Sequence, residues 1–297
     1  MFLKIMRGIY KTFFLWKLIL LFWLLNLAIA VLALFPYQKI FHDFFANRLA
    51  VELLRNQNVY MAYAEFYHYA EPLIHGFLFP LRIGGLLYPL LLVLLSGGIL
   101  HYYFNYFNRE RVKLRIFWSE SVCFMWQMFK ILLLYPFVLL AGFLISLIFI
   151  LPLLFLIPSP AVEYHYFYFF ITAMIIFGLV VLWCLLLLDI TRLLVVKNKS
   201  RRILREFLSS FKIVIRRPLV WYAVYILMFA LWVVSALIYW HIQDKISESG
   251  LFLILLHFVL LQFFILIQIG LRWARFGVLS EYLDEPEENS AELPGME

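Results

Sequence analysis

The sequence predicts an all-α fold: a polytopic transmembrane helical bundle of six spans with interfacial amphipathic helices. Hydrophobic residues make up 65% of the 297 residues and charged residues 14%, whereas a soluble domain is about half apolar and a quarter charged. Apolar runs of about 18 residues or more recur along the chain, which is typical of membrane helices. Lys and Arg are concentrated in alternate connecting segments, the pattern of the positive-inside rule.

Six apolar runs are long enough to cross the bilayer, which needs about 20 residues. The first run carries Ala28 and Ala30 in a weak cleavage pattern, but its length and the later spans favour an uncleaved span. The third run would be about 40 Å long as a straight helix, so we expect it to tilt, kink or protrude. The predicted spans are residues 14–35, 83–104, 131–157, 167–196, 219–240 and 251–271.

The predicted organisation is a single membrane domain over residues 1–275. Its longest polar interval, residues 36–82, is predicted to be an extracytoplasmic interfacial segment. Residues 197–217 are predicted to form a cytoplasmic basic amphipathic helix. Residues 276–297 are acidic and contain prolines without apolar periodicity, so we expect a disordered tail.

The distribution of Lys and Arg predicts the orientation. The N-terminus, the 105–122 segment and the 197–217 segment are basic, whereas 158–165 has no Lys or Arg and 242–249 has only Lys245. Basic segments face the cytoplasm, so we expect a multi-pass protein of the cell membrane, typical of a bacterial inner membrane, with both termini cytoplasmic. Orientation accounts for the net charge of +7, and we predict no nucleic-acid partner.

The basic segment is the first candidate site. Its apolar residues recur at helical spacing and its basic residues fall mostly on the other face, with Ser200 as the expected N-cap. We expect it to bind anionic lipid headgroups on the cytoplasmic side, or to dock another membrane or cytoplasmic subunit. The predicted docking residues are Arg201, Arg202, Arg205, Lys212, Arg216 and Arg217.

The second candidate is a charged pair near the cytoplasmic end of the fourth span. Asp189 and Arg192 are three residues apart and therefore lie on one helix face. An ionised group within a span indicates a functional site by default. The pattern predicts an intramembrane ion pair, with a proton or ion relay as the alternative.

The third candidate lies on the predicted outer side. Glu65, His68, Glu71 and His75 are spaced by three, three and four residues, which places them on one face of a helix. Carboxylate and imidazole in this spacing suit Zn or Fe, although Pro72 interrupts the segment. A solvated polar face and a headgroup or quinone site are the alternatives.

The sequence contains no phosphate-binding loop and no hydrolase or metalloprotease motif, and we predict no cofactor. Mostly apolar spans and a basic helix favour a non-enzymatic subunit, a scaffold or permease-like component of a larger membrane assembly. The alternative is a membrane-embedded enzyme or carrier that acts on a lipid or quinone, using the outer His/Glu set or Asp189.

Overall fold

A computed structural model describes residues 2–45, 61, 74–105, 113–155, 163–245 and 251–284. Every regular element in these ranges is an α-helix, which confirms the predicted all-α class. The helices are α1 (Phe2–Phe14), α2 (Trp16–Phe45), α3 (Ile74–Asn105), α4 (Leu114–Leu154), α5 (Glu163–Lys197), α6 (Ile203–Arg216), α7 (Pro218–Lys245) and α8 (Leu251–Leu283).

Five of these helices, α3, α4, α5, α7 and α8, contain stretches long and apolar enough to cross a membrane. Helices α1 and α2 meet at a bend of 63° and form a sixth candidate if they are counted as one span. The structure therefore supports a multi-pass membrane protein with five or six spans, and the count of six stays a prediction.

The chain divides into two compact units where the sequence predicts one domain. One unit comprises Met1–Ile19 and Val93–Glu297, and the other comprises Leu20–Leu92. The smaller unit contains most of α2 and the first half of α3. The candidate sites described below lie in the larger unit.

The larger unit has a region of dense side-chain packing, which we call the packed end. Tyr103 and Phe117 are fully buried there. A Cβ atom on Gly98 of α3 would lie 2.6 Å from the carbonyl oxygen of Phe117 in α4, so the two helices touch through backbone. The packed end consists of α1, α3 from Val93, α4 up to Ile131, α5 from Cys184, α6, α7 up to Met228 and α8 from Ile269.

The rest of α4, α5, α7 and α8 forms what we call the apolar arms. In the most apolar stretches of these helices, 11%, 22%, 22% and 6% of residues are buried within the chain, against 50% for α3. Beyond Ile131, the buried residues of α4 are Gly142 and Ser146. The arms are therefore built to be surrounded by an apolar medium or by other helices.

Helix α4 begins earlier than the sequence predicts. The predicted third span is 131–157, preceded by a connecting segment at 105–122, but α4 is a 41-residue helix from Leu114 to Leu154. Its length is about 60 Å at 1.5 Å per residue. Phe117, Phe124 and Met128 recur at helical spacing and are buried, and this amphipathic face extends the helix through charged sequence.

Helix α8 corrects the predicted disordered tail. The predicted sixth span ends at residue 271, but α8 continues to Leu283. Phe276, Leu279 and Leu283 are buried and follow a spacing of three and four residues, so they form one apolar stripe beneath the acidic residues. The prediction of disorder from residue 276 is therefore wrong as far as residue 284, and residues 285–297 lie outside the described part.

The predicted interfacial segment 36–82 is only partly described. Helix α2 enters it as far as Phe45 and α3 leaves it from Ile74, so both flanking helices are longer than the predicted spans. Residues 46–73, apart from Met61, lie outside the described ranges.

Candidate functional site

A buried carboxylate joins three helices at the packed end. Asp189 of α5 is 1% exposed. Its Oδ2 accepts a hydrogen bond of 2.9 Å from the Tyr225 hydroxyl of α7 and lies 2.9 Å from Nη2 of Arg275 in α8. Its Oδ1 lies 3.7 Å from Nη1 of Arg192 in the same helix. One carboxylate thus holds α5, α7 and α8 together through charge-assisted contacts.

Aromatic rings cover both arginines of this cluster. The Arg192 guanidinium lies 4.9 Å from the ring centre of Tyr135 in α4, and that of Arg275 lies 5.0 Å from Tyr225 and 5.5 Å from Phe276. Such cation–π contacts are stronger where water is excluded. Tyr135 adds α4 to the set, so the cluster links four of the long helices.

Sequence reasoning found one half of this cluster and missed the other. It paired Asp189 with Arg192, and the structure brings the two side chains to 3.7 Å. The shorter ionic contact is with Arg275, a residue that the sequence analysis treats only as the end of the membrane domain. Local spacing carries no signal for this pairing, because α5 and α8 are far apart in sequence.

A second group of charges ties the end of α8 to other helices. The Lys11 ammonium of α1 contacts the Glu281 carboxylate and donates a hydrogen bond of 3.3 Å to the Tyr103 carbonyl of α3. Lys197, the last residue of α5, lies 3.3 Å from Asp284. Both lysines were explained in the sequence analysis by membrane orientation alone. In the structure they pair with acidic residues at the end of α8.

The basic helix α6 packs against α5 by one face. Ile203, Glu206, Ser210 and Val214 are buried. The Thr191 hydroxyl of α5 donates to Ser210 Oγ at 3.1 Å, and Glu206 accepts a hydrogen bond of 2.9 Å from the Asn198 amide. The one acidic residue of α6 is thus turned into the protein rather than toward the basic residues.

Two further faces of α6 are exposed. An apolar strip of Leu204, Leu208, Phe211 and Ile215 lies between the buried face and a basic face. This order of faces is typical of a helix at a membrane interface. The basic face contains Arg205, Lys212 and Arg216, while Arg201 and Arg202 precede the helix and Arg217 follows it, and all six side chains are exposed.

The predicted N-cap of α6 is misplaced. The helix begins at Ile203, and Arg202 occupies the N-cap position without a side-chain cap. Ser200 Oγ instead accepts a hydrogen bond of 3.2 Å from the backbone N–H of Arg202. Lys199 has a φ of 47°, so the chain turns sharply before the helix and Ser200 orders that turn.

An apolar cleft of about 570 Å³ lies between α4, α5, α6 and α7. Gly142 and Cys184 lie at the contact between α4 and α5, where a Cβ on Gly142 would be 2.6 Å from the Cys184 sulfur. Phe137, Trp183 and Tyr222 are among the aromatic residues that line the cleft, and Phe211 of α6 lines it as well.

The predicted metal set lies outside the described part of the structure. Residues Glu65, His68 and Glu71 fall in ranges that are not described, and His75 lies in α3 without a described side chain. Within the described residues, no group of three or more His, Cys, Asp and Glu side chains is arranged to hold a metal ion. The metal site stays a prediction.

The fold and its buried ion clusters define the chain as an all-α integral membrane protein that crosses the bilayer several times. No protein-family model, no curated protein and no solved structure matches the chain. The function is therefore argued from the geometry of the chain itself.

Proposed function

We propose that the chain is a non-enzymatic subunit, a scaffold or permease-like component of a larger membrane assembly. The observation that carries the proposal is the contrast in burial between the two parts of the same helices. The most apolar stretch of α8 is 6% buried, whereas Phe276, Val278 and Leu279 near the end of the helix are almost completely buried. Apolar surface that a chain leaves unpacked can be covered by lipid or by the helices of other subunits, and the proposal assigns part of it to other subunits.

The arms pair two by two. Phe143 of α4 and Phe177 of α5 form an edge-to-face ring contact at 6.1 Å, and the ring of Tyr239 in α7 stacks on Phe264 in α8 at 4.3 Å. Membrane helices associate through close packing of small residues and interhelical hydrogen bonds. Two helix pairs with broad exposed faces are suited to receive further helices, and this supports a role in assembly.

Each arm presents an apolar stripe outward. In α8, Leu255, Val259 and Phe263 are spaced by four residues and are 56%, 61% and 60% exposed. Such a stripe fits the surface of a partner helix as well as it fits lipid. We propose that partner subunits cover it in the assembly.

We also propose an orientation for this subunit. The packed end faces the cytoplasm of a bacterial cell membrane, with both termini on that side and α6 at the headgroup layer. The density of Lys and Arg around α6 supports this side. A reporter that works only in the cytoplasm should be active when it is fused after Arg217, and a reporter that works only after export should be inactive there. Activity of the exported reporter would show that the orientation is the reverse of the one proposed.

The assembly role is tested by purification of the full chain from its native membrane in mild detergent, followed by mass measurement of the complex. We expect a stable stoichiometric partner or oligomer. Val259→Trp, on the arm stripe, should release that partner because the added bulk prevents helix docking. Val122→Trp is the matched control, since Val122 is 66% exposed at the packed end.

Two results would contradict the assembly role. One is a wild-type chain that is monomeric and without partners in mild detergent. The other is a partner that stays bound to both tryptophan variants.

The alternative function is a membrane-embedded enzyme or carrier that acts on a lipid or quinone. The apolar cleft supports it, because its volume of about 570 Å³ falls in the range of small-molecule sites. The metal-dependent form rests on Glu65, His68, Glu71 and His75. Metal analysis of the purified chain, with His68→Ala and His75→Ala as controls, should find stoichiometric zinc or iron if that form is correct.

A further inference from the structure

We propose that the cleft between α4, α5, α6 and α7 holds an acyl chain of an anionic phospholipid whose headgroup is bound by the basic face of α6. The proposal is independent of the assembly role, because a lipid bound in this way would be present in an isolated subunit too. It rests on the size of the cleft, on the state of its polar atoms and on the charge beside it.

The size of the cleft suits a hydrocarbon chain. Its lining on α4 runs from Phe137 to Phe149, about 18 Å at 1.5 Å per residue, and one leaflet of the hydrocarbon core is about 15 Å deep.

Two of the polar side chains that line the cleft, Tyr222 and Cys184, are already bonded within the protein. The Tyr222 hydroxyl donates to the Leu179 carbonyl, and the Cys184 thiol donates to the Val138 carbonyl at 3.6 Å. A quinone ring or another polar head placed beside these two groups would therefore lose hydrogen bonds to water without gaining a donor from them. A saturated or unsaturated acyl chain has none to lose.

The charge beside the cleft selects an anionic headgroup. Phe211 lines the cleft, Lys212 follows it, and Arg205 and Arg216 share the face of Lys212 at a spacing of seven and four residues. Glu206, the single acid of α6, is buried against Asn198 and does not neutralise that face. Each basic residue near an anionic surface strengthens binding about fivefold.

The test measures lipid retention by native mass spectrometry on the full chain in detergent with equal amounts of dioleoyl phosphatidylglycerol and dioleoyl phosphatidylcholine. We expect the wild type to retain phosphatidylglycerol preferentially. In the triple variant R205Q/K212Q/R216Q, the ratio of retained phosphatidylglycerol to phosphatidylcholine should fall about fivefold for each residue replaced. The control K130Q/K245Q removes two exposed charges that lie on α4 and α7 rather than on α6 and should keep the preference.

A second variant tests the cleft separately from the charge. Ala141 is exposed and lines the cleft, so Ala141→Trp should lower retention of both lipids at least tenfold while their ratio stays the same. Ala230→Trp, at an exposed position of α7, is the control and should retain both. If the triple variant fails to fold, Lys212→Gln alone should still lower the preference about fivefold.

Three results would overturn the proposal. The first is equal retention of the two lipids by the wild type, and the second is an unchanged preference in the α6 variants. The third is an Ala141→Trp variant that keeps its lipid but dissociates from a partner, which would place a partner helix in the cleft.

Discussion

The packed end and the apolar arms share four long helices, yet they are stabilised in different ways. In its first part α4 buries Phe117, Met128 and Ile131, whereas beyond Ile131 it buries Gly142 and Ser146, both of them small residues. Hydrophobicity is higher in the arms, so it does not decide which part is packed. Within lipid, an apolar side chain gains little by leaving one apolar medium for another.

The packed end is also held by ion pairs between distant segments. Asp189 joins Tyr225 and Arg275, and Lys11 joins Glu281. Such groups are costly to bury alone and are stable only as pairs. The comparison therefore predicts that substitutions at the packed end change the stability of the chain, while substitutions in the arms change mainly what it binds.

The largest effect is expected from Asp189→Leu. The change leaves Arg275 and Arg192 without their carboxylate in a buried site, and breaking a buried pair costs about 3–5 kcal/mol. Unfolding in mixed micelles measures this loss of free energy. The double variant Asp189→Leu/Arg275→Met should recover much of it, since an apolar replacement of both partners is often neutral. A double variant as unstable as the two single changes combined would show that the pair is not the cause.

The next effect concerns the crossing of α1 and α8. A Cβ atom on Gly8 would lie 2.4 Å from the Cα of Val278, and backbone cannot rotate away as a side chain can. Gly8→Leu should therefore separate the helices and cost about 3 kcal/mol, the upper end for overpacking. Gly178→Leu is the control, because nothing lies within 4 Å of its Cβ position. Equal unfolding free energies for the two variants would contradict this account of the crossing.

A smaller loss of folding free energy is expected from Lys11→Met. Glu281 then loses its cationic partner while its side chain is 9% exposed, and an unsatisfied buried group costs about 1–3 kcal/mol. Hydrogen exchange should become faster over residues 276–284 in particular, because α1 no longer holds the end of α8. Lys130→Met removes an exposed lysine and should leave that exchange unchanged. Unchanged exchange in Lys11→Met would show that the end of α8 is held by its apolar stripe alone.

Local periodicity was sufficient to predict the all-α class and most helix positions. The predicted spans 167–196 and 219–240 correspond to α5 (Glu163–Lys197) and α7 (Pro218–Lys245), because long apolar runs with few charges have few alternative structures in lipid. The bend between α1 and α2 was not predicted. Apolar length alone carries no information about where one helix ends and the next begins.

Pairings between distant helices were not predictable in the same way. The basic residues of α1 were interpreted only as a sign that the N-terminus faces the cytoplasm. In the structure, Ile5, Gly8 and Thr12 of this helix form a buried face at a spacing of three and four residues. The role of Arg275 depends on a contact with Asp189 that no local spacing encodes. A single sequence shows which residues share a face, but not which face of another helix they meet.

The smallest expected effect gives the sharpest contrast, because it uses one helix and one chemical change. Ile131 is fully buried at the packed end of α4, whereas Ile148 in the arm is 67% exposed. Ile131→Val should cost about 0.5–1.5 kcal/mol, as is usual for removing a buried methylene. Ile148→Val should leave the unfolding free energy of the isolated chain within about 0.5 kcal/mol of the wild type, since lipid or detergent fills the space. A cost at Ile148 equal to that at Ile131 would mean that the arms are packed within a single chain, and the proposed assembly role would lose its support.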